Sequence, residues 1–290
     1  MSERIESFRQ LHDALDRYDG ADPHADVLMP SLADVQALMA PLQSLRRLAT
    51  SPPRAVDQNA LWDLFALSVI DDALLSRPRF RPAEHATFFS LLGFEPFDEH
   101  AAFSPLTCEI VAVSNDVDGP ESGIELLETH WPGLRFGELV FARCAKSVRC
   151  RPSLGIVEGI ADKSMLHFTN ERRGRPCNDL SHGWGHNSRW RTDFHRNYAV
   201  HGVAFYNVDG PLDIGTRNPS LERSGHPPAE LPLDQAREIL MHRGFVRTPR
   251  FADEWPYHWR MAVRDSGRSW PLDEADLLPF DAALREVGVA

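Results

Sequence analysis

Apolar residues recur at helical spacing over the first 95 residues of the chain. Residues 5–18 place an apolar side chain on one face every three or four positions, which predicts an amphipathic helix. A second helix is predicted to begin at Ser31, with Asp34 three residues later in the arrangement of a capping box. Pro41 is expected to kink that helix, because proline removes a backbone donor and clashes with the preceding turn.

Two further helices are predicted in this part of the chain. After Asp57, residues 61–75 are apolar on nearly every face, which is typical of a helix enclosed by the rest of the protein. The segment from Pro82 to about Leu92 begins with proline in its first turn and is followed by Gly93, the usual order at the two ends of a helix. Residues 1–95 are therefore predicted to form a helical portion.

The pattern changes after residue 95, where β-branched and alternating apolar residues become frequent. Strands are predicted at 107–113, 134–145, 147–151, 155–160, 165–170 and 199–208, and a short helix at 124–130. Near the end of the chain, the pattern predicts an amphipathic helix over 233–244, a strand over 257–265 and a last helix that starts near Asp273.

These elements predict an α+β fold. The N-terminal helical portion, residues 1–95, should pack on a mixed or antiparallel sheet, and a helix, a strand and a helix should complete the C-terminal end. Residues 96–290 form the α+β portion that carries a central basic loop. We expect the two portions to make one compact unit, since 290 residues suffice for a substantial core.

Composition is that of a globular protein, with 42% hydrophobic and 25% charged residues. No apolar run approaches the roughly 20 residues that span a bilayer, and the charged start MSERIESFRQ is unlike a signal peptide, so we expect a cytoplasmic protein. The four cysteines form no CxxC pair and are expected to be reduced and buried. Arginine outnumbers lysine by 29 to 2, a bias that suggests a GC-rich bacterial genome.

Charge is distributed unevenly along this acidic chain of net charge -11. Residues 1–140 contain 10 basic and 23 acidic side chains, whereas residues 141–200 contain 11 basic and 5 acidic ones. A positive segment inside an acidic chain needs negative partners, either the protein's own carboxylates or an external anion.

The segment 177–198, CNDLSHGWGHNSRWRTDFHRNY, combines histidines, arginines, tryptophans and aspartates with almost no aliphatic residue. Guanidinium groups bind phosphate or carboxylate with two parallel hydrogen bonds, and indole rings stack on bases, sugars or arginines. The segment therefore predicts an anion-binding loop. Its predicted ligand-binding residues are Arg175, Arg189, Arg191, Arg196, Trp184 and Trp190. The alternative is a self-satisfied polar network that braces a long loop.

Catalytic or metal chemistry in the same loop is a further hypothesis. His182, His186 and Asp179 are the candidates for acid–base or metal roles. The two histidines are four residues apart, as in helical zinc sites, but Gly183 and Gly185 make a helix unfavourable there.

A calcium loop is an alternative metal site, over residues 114–125. Asp116, Asp118 and Glu125 occupy ligand positions of that pattern, although Ser114 replaces its first aspartate. The turn-forming preferences of Asp and Gly give the competing explanation, an acidic surface turn.

Two functional hypotheses remain open. In the first, the chain is a non-catalytic partner-binding protein, like a toxin-immunity protein, whose acidic helical surface covers a basic protein. In the second, it is an enzyme that acts on a small phosphorylated or nucleotide-like substrate through the loop, with or without a metal. Duplex nucleic acid is not expected as a partner, because the surrounding surface is negative. No cofactor can be assigned.

Overall fold

The computed structural model describes residues 4–77, 81–120, 123–162, 194–216, 231–248, 258–265 and 270–289. It confirms the predicted α+β fold. The α-helices are α1 (Phe8–Asp16), α2 (Met29–Leu38), α3 (Gln58–Leu75), α4 (Pro82–Leu91), α5 (Leu233–His242) and α6 (Phe280–Glu286). A π-turn (His24–Leu28) leads into α2, and 3-10 turns cover Pro41–Arg46, Leu48–Thr50, Pro152–Leu154 and Glu274–Asp276.

Strands of the described part form two sheets. The strands are β1 (Glu95–Phe97), β2 (Cys108–Asn115), β3 (Glu125–Trp131), β4 (Gly133–Phe136), β5 (Leu139–Ala142), β6 (Cys144–Cys150), β7 (Asn197–Val200), β8 (Val203–Tyr206), β9 (Leu212–Asp213), β10 (Trp259–Arg264) and β11 (Leu277–Leu278). The larger sheet has the order β1-β4-β5-β7-β8-β10-β11, with β9 pairing parallel to β10. The smaller sheet has the order β2-β6-β3, in which β2 and β6 are parallel.

The larger sheet lies between two apolar layers, because successive side chains of a strand point to opposite faces. Leu139 and Phe205 belong to a core that also contains residues of α1 to α4 and α6. Their neighbours Val140 and Tyr206 belong to a second core with β2, β6 and α5. The helices therefore cover one face, and the smaller sheet with α5 covers the other.

Helices α1 and α3 begin where side chains cap their first turns. The Ser7 hydroxyl accepts a hydrogen bond from the Gln10 amide at 3.3 Å, and the Asp57 carboxylate accepts one from the Asn59 amide at 3.0 Å. As the sequence predicts, α3 is buried along most of its surface, including Asp71 and Asp72. Within the described ranges, no helix has the length and apolar character needed to cross a membrane.

The predicted start of the second helix is wrong. The helix begins at Met29, directly after the π-turn, and Ser31 is buried inside it rather than capping it. The Asp34 carboxylate instead accepts a hydrogen bond from the Ile5 amide at 2.9 Å, so it fixes the chain before α1. The local spacing predicted a capping box, but the Asp34 carboxylate binds the backbone at Ile5, 29 residues earlier in the chain.

Several predictions after residue 95 are corrected by strand pairing and turn chemistry. Residues 125–131 form a strand, not a helix, because they pair antiparallel with β6. Residues 155–160 form no strand; the Asn115 side chain binds the Ile156 carbonyl and the Glu158 amide at 2.8 and 2.7 Å. Similarly, 199–208 is a hairpin of β7 and β8, and the last helix follows Pro279 rather than Asp273.

Candidate functional site

The loop that the sequence singled out falls largely outside the described residues. Residues 163–193 are not described, and Phe194 is where the described chain resumes. The predicted site residues that lie outside the described ranges are His182, His186, Asp179, Arg175, Arg189, Arg191, Trp184 and Trp190. Their assigned roles stay predictions.

Arg196, which was predicted as an anion ligand, is described and has an internal partner. Its side chain is 0% exposed, and its Nε and Nη2 donate to the two carboxylate oxygens of Asp209 at 2.6 and 2.7 Å. Its Nη1 donates to the carbonyl and hydroxyl oxygens of Ser51 at 2.8 and 2.7 Å. The protein's own carboxylate thus occupies the place of an external anion, which agrees with the alternative of a self-satisfied network.

Electrostatics keep this buried guanidinium charged. Burial lowers the pKa of Arg196, but the hydrogen bond and charge of Asp209, together with Tyr198, outweigh it and raise the pKa above its ordinary value. The pair therefore connects the start of β7 to the segment at Ser51 as a structural anchor.

In its described residues, the acidic turn at 114–125 differs from an EF-hand calcium loop. Strands β2 and β3 flank it, whereas an EF-hand loop is flanked by helices. Arg149 lies between two of the predicted ligands, with Nη2 2.6 Å from Glu125 and Nη1 3.7 Å from Asp116. The Asp116 carboxylate also accepts a hydrogen bond from the Asp118 amide at 2.9 Å, as in an Asx turn. The geometry argues against a calcium ion here.

A cavity of about 390 Å³ lies in the helical layer. Its walls come from the π-turn and the loop before it, the C-terminal end of α3 and the first turn of α4. Concave sites of this size with a few converging polar groups are the usual places for small ligands. The titratable residues that line it are Asp19, Asp22, His24, Arg77, Arg81, Glu84 and His85.

Three of these residues form a potential metal-binding group. One ligand atom each from Asp22, His24 and Glu84 lies within 4.8 Å of the other two, and no other such group occurs among the described residues. All three side chains are partly buried. One imidazole nitrogen and two carboxylate oxygens suit a divalent ion such as Zn²⁺ or Mn²⁺, since imidazole favours the former and carboxylates the latter.

Local structure orients these three side chains. Asp22 Oδ1 accepts a hydrogen bond from the Ala25 amide at 2.9 Å, which fixes its carboxylate at the start of the π-turn. His24 is the first residue of that turn, whose wide hydrogen bond runs from the Met29 amide to the His24 carbonyl. Such turns occur often at functional sites, because they change the direction of side chains within a helix. Glu84 lies in the first turn of α4, after Pro82.

The imidazole of His24 provides a second, independent sign of a ligand. Its Nε2 is buried and has no hydrogen-bond partner among the described residues. A buried polar atom without a partner is costly, so each such case in a native protein needs an explanation, of which a bound water or ion is one. A cation coordinated by this nitrogen together with the Asp22 and Glu84 carboxylates would satisfy it.

Arg81 supplies the positive charge beside the two carboxylates. Its Nη1 lies 2.6 Å from Glu84 Oε1 and 3.5 Å from Asp22 Oδ2. Hydrogen bonding and charge attraction from Glu84, with the charge of Asp22, raise the pKa of Arg81 above its ordinary value. Since the Arg81 side chain is 55% exposed, it can turn into solvent at little cost.

A buried histidine–carboxylate pair lies next to this group. His85, which also lines the cavity, has its Nε2 2.6 Å from Asp71 Oδ1, and both side chains are almost fully buried. The pair joins α4 to α3 at the residue that follows Glu84. It therefore holds the first turn of α4, and with it the Glu84 carboxylate, against the helical core.

Comparison of the chain with protein-family models, with curated proteins and with solved structures finds no match.

Sequence reasoning missed this group for a clear reason. Asp22 and His24 are two residues apart, but Glu84 comes from a helix more than 50 residues later. The only local signal was the pair of ligand-type residues around Pro23, within ADPHAD. No standard motif has this spacing, and only the packing of α4 against the π-turn brings the three side chains together.

Proposed function

We propose that this protein binds a divalent metal ion, Zn²⁺ or Mn²⁺, through Asp22, His24 and Glu84, in a cavity that leaves room for a further ligand. The observation that carries the proposal is the clustering of three potential ligand atoms within 4.8 Å of one another, on residues that include a histidine whose Nε2 has no partner in the part of the chain that the structure describes. Three protein ligands leave coordination positions open, as in metal sites that act on substrates rather than only on stability.

Charge balance supports a dication. The two carboxylates carry two negative charges, and Arg81 compensates only one of them at close range. Metal–ligand distances of about 2.0–2.2 Å require the three side chains to approach each other further. The ion would replace the Arg81 guanidinium between the carboxylates, and the arginine side chain would move away from them while it still lines the cavity.

Zinc titration tests this proposal. Chelator-treated protein is expected to bind one Zn²⁺ at this site by calorimetry, and His24→Gln should weaken binding by at least about 10–100-fold, the loss that even a supporting partner of a ligand causes. Asp22→Asn and Glu84→Gln should act in the same direction. His100→Gln is the matched control, because that exposed histidine also lies beside a carboxylate, at 3.4 Å from Asp98.

The His-rich loop requires its own control, because it was predicted as an alternative metal site. The double variant His182→Gln, His186→Gln should retain the affinity that His24→Gln loses. If His24→Gln binds zinc like the wild type and the loop variant does not, the zinc site lies in the loop and the proposal is rejected. Thermal melting of each variant checks that it is folded.

Binding of a basic protein partner, as by a toxin-immunity protein, is a second candidate. The observation that favours it is the exposure of the Asp16, Asp19 and Asp26 carboxylates around α1 and the π-turn. Binding of a purified basic nuclease or toxin domain should then weaken steeply between low and high salt. Binding that is absent at both salt concentrations would reject this candidate. The cytoplasmic location expected from the sequence belongs to the same proposal.

A further inference from the structure

We infer that Arg77 and Arg81 form a binding site for a phosphate-bearing small molecule, and that metal binding at Asp22, His24 and Glu84 makes this site available. The inference rests on the proposed function and names the second ligand of the same cavity. It is carried by the fact that the carboxylates that pair with Arg81 are the proposed metal ligands.

Arg77 is the fixed member of the arginine pair. It follows the C-terminal end of α3 and lines the cavity. Its Nη2 donates to the Leu15 carbonyl at the end of α1, so the guanidinium is tied to the helical layer through one of its five N–H groups. A planar guanidinium held by its edge retains donors for a second, bidentate partner, and phosphate oxygens match that geometry.

Arg81 is the arginine whose ion-pair partners change when a metal ion binds. Without metal, its guanidinium is paired with Glu84 and, more distantly, with Asp22. A dication on those carboxylates removes the partners of Arg81 and neutralises both negative charges. Arg77 and Arg81 then contribute two positive charges to a cavity whose remaining charged wall residue is Asp19. The cavity changes from net negative to net positive, which favours an anion.

The cavity size restricts the ligand to a small molecule. A volume of about 390 Å³ lies near the lower end of the range for ligand sites, roughly 300–1,000 Å³. A phosphate monoester with a small organic group fits such a volume, whereas a polynucleotide does not. Two guanidiniums favour a phosphate over a single carboxylate, because a phosphate offers enough oxygens for two bidentate contacts.

Thermodynamic linkage relates the metal affinity of the cavity to its phosphate affinity. If metal binding releases Arg81, then metal must tighten phosphate binding, and phosphate must tighten metal binding by the same factor. Calorimetric titration of inorganic phosphate into chelator-treated protein and into protein with one equivalent of Zn²⁺ measures that factor. We expect at least about tenfold tighter phosphate binding with Zn²⁺, within the usual range of such coupling. Acetate at equal concentration should bind much more weakly than phosphate.

Arginine variants separate this mechanism from simple coordination of phosphate to the metal. Arg77→Gln should abolish phosphate binding and leave zinc affinity unchanged. Arg81→Gln should also weaken phosphate binding but should tighten zinc binding, because it removes the cation that competes for the carboxylates. Arg149→Gln is the matched control, since Arg149 also bridges two carboxylates, Asp116 and Glu125, and should change neither affinity.

Each outcome has a separate meaning. If Zn²⁺ does not bind, the proposed function fails and the inference fails with it. If Zn²⁺ binds but phosphate binding is the same with and without it, or both arginine variants bind phosphate like the wild type, the inference alone is overturned. Opposite changes in zinc and phosphate affinity in Arg81→Gln, together with an unchanged zinc affinity in Arg77→Gln, would support release of the guanidinium over a general effect of charge in the cavity.

Discussion

Asp209→Ala is expected to lower the free energy of unfolding by about 3–5 kcal/mol, the cost of leaving a buried charge without its partner. The guanidinium of Arg196 is 0% exposed, and Asp209 provides its only carboxylate among the described residues. The charge cannot escape, because no solvent reaches the guanidinium and an arginine side chain stays protonated in proteins. The double variant Arg196→Met, Asp209→Leu should recover much of the loss, since apolar residues of similar size often replace a buried ion pair.

Urea unfolding of the three proteins measures this effect. Glu286→Ala is the control, because Glu286 pairs with Arg264 at 3.1 Å while both side chains are about half exposed, and such pairs contribute about 0–1 kcal/mol. If Asp209→Ala costs no more than Glu286→Ala, the structural role of Arg196 is wrong. The prediction from the sequence, that Arg196 binds an external anion, would then be favoured again.

Acidification is expected to destabilise the protein through His242. Burial, followed by the charges of Arg143 and Arg247, lowers the pKa of His242 to about 3. The imidazole Nε2 is buried without a hydrogen-bond partner among the described residues, and the ring packs between Phe103 and Trp270. The folded state therefore holds the neutral ring over a pH range in which the unfolded chain binds a proton.

The difference between the pKa values of His242 in the folded and unfolded states determines the pH range over which stability is lost, and the direction of the change. The unfolded pKa is about 6.5, so the stabilisation is fully present above that pH and is lost as pH falls towards 3. The slope is about 1.4 kcal/mol per pH unit within the window. Unfolding free energies of the wild type and His242→Leu between pH 7 and 4 measure it, and the variant should show the shallower decline. Equal slopes would contradict the buried neutral histidine, and His100→Gln should leave the slope unchanged.

Strong local signals made part of the fold predictable. The apolar run of α3, the proline at the start of α4 and the amphipathic pattern of α5 each determine a helix with little help from the rest of the chain. Residues 125–131 lack such a signal, and only pairing with β6 makes them a strand. Likewise, the turn at His201 and Gly202 divides one predicted strand into two, because both residues adopt positive φ.

The candidate site could not be predicted in the same way. Sequence reasoning followed the density of reactive side chains to residues 177–198, and its described end contains the buried anchor Arg196. The metal-binding group depends on the tertiary packing of Glu84 beside Asp22 and His24, which no local spacing encodes. Arg77 and Arg81 belong to no sequence motif either. Their proposed role in binding depends on the carboxylates that surround them in the folded protein.

X-ray diffraction from crystals grown with one equivalent of Zn²⁺, recorded at the zinc absorption edge, tests the central claim most directly. We expect an anomalous difference peak about 2.0–2.2 Å from one nitrogen of His24 and from carboxylate oxygens of Asp22 and Glu84, with Arg81 turned away from those oxygens. A zinc peak elsewhere in the chain, with the Arg81 guanidinium still between the two carboxylates, would contradict it.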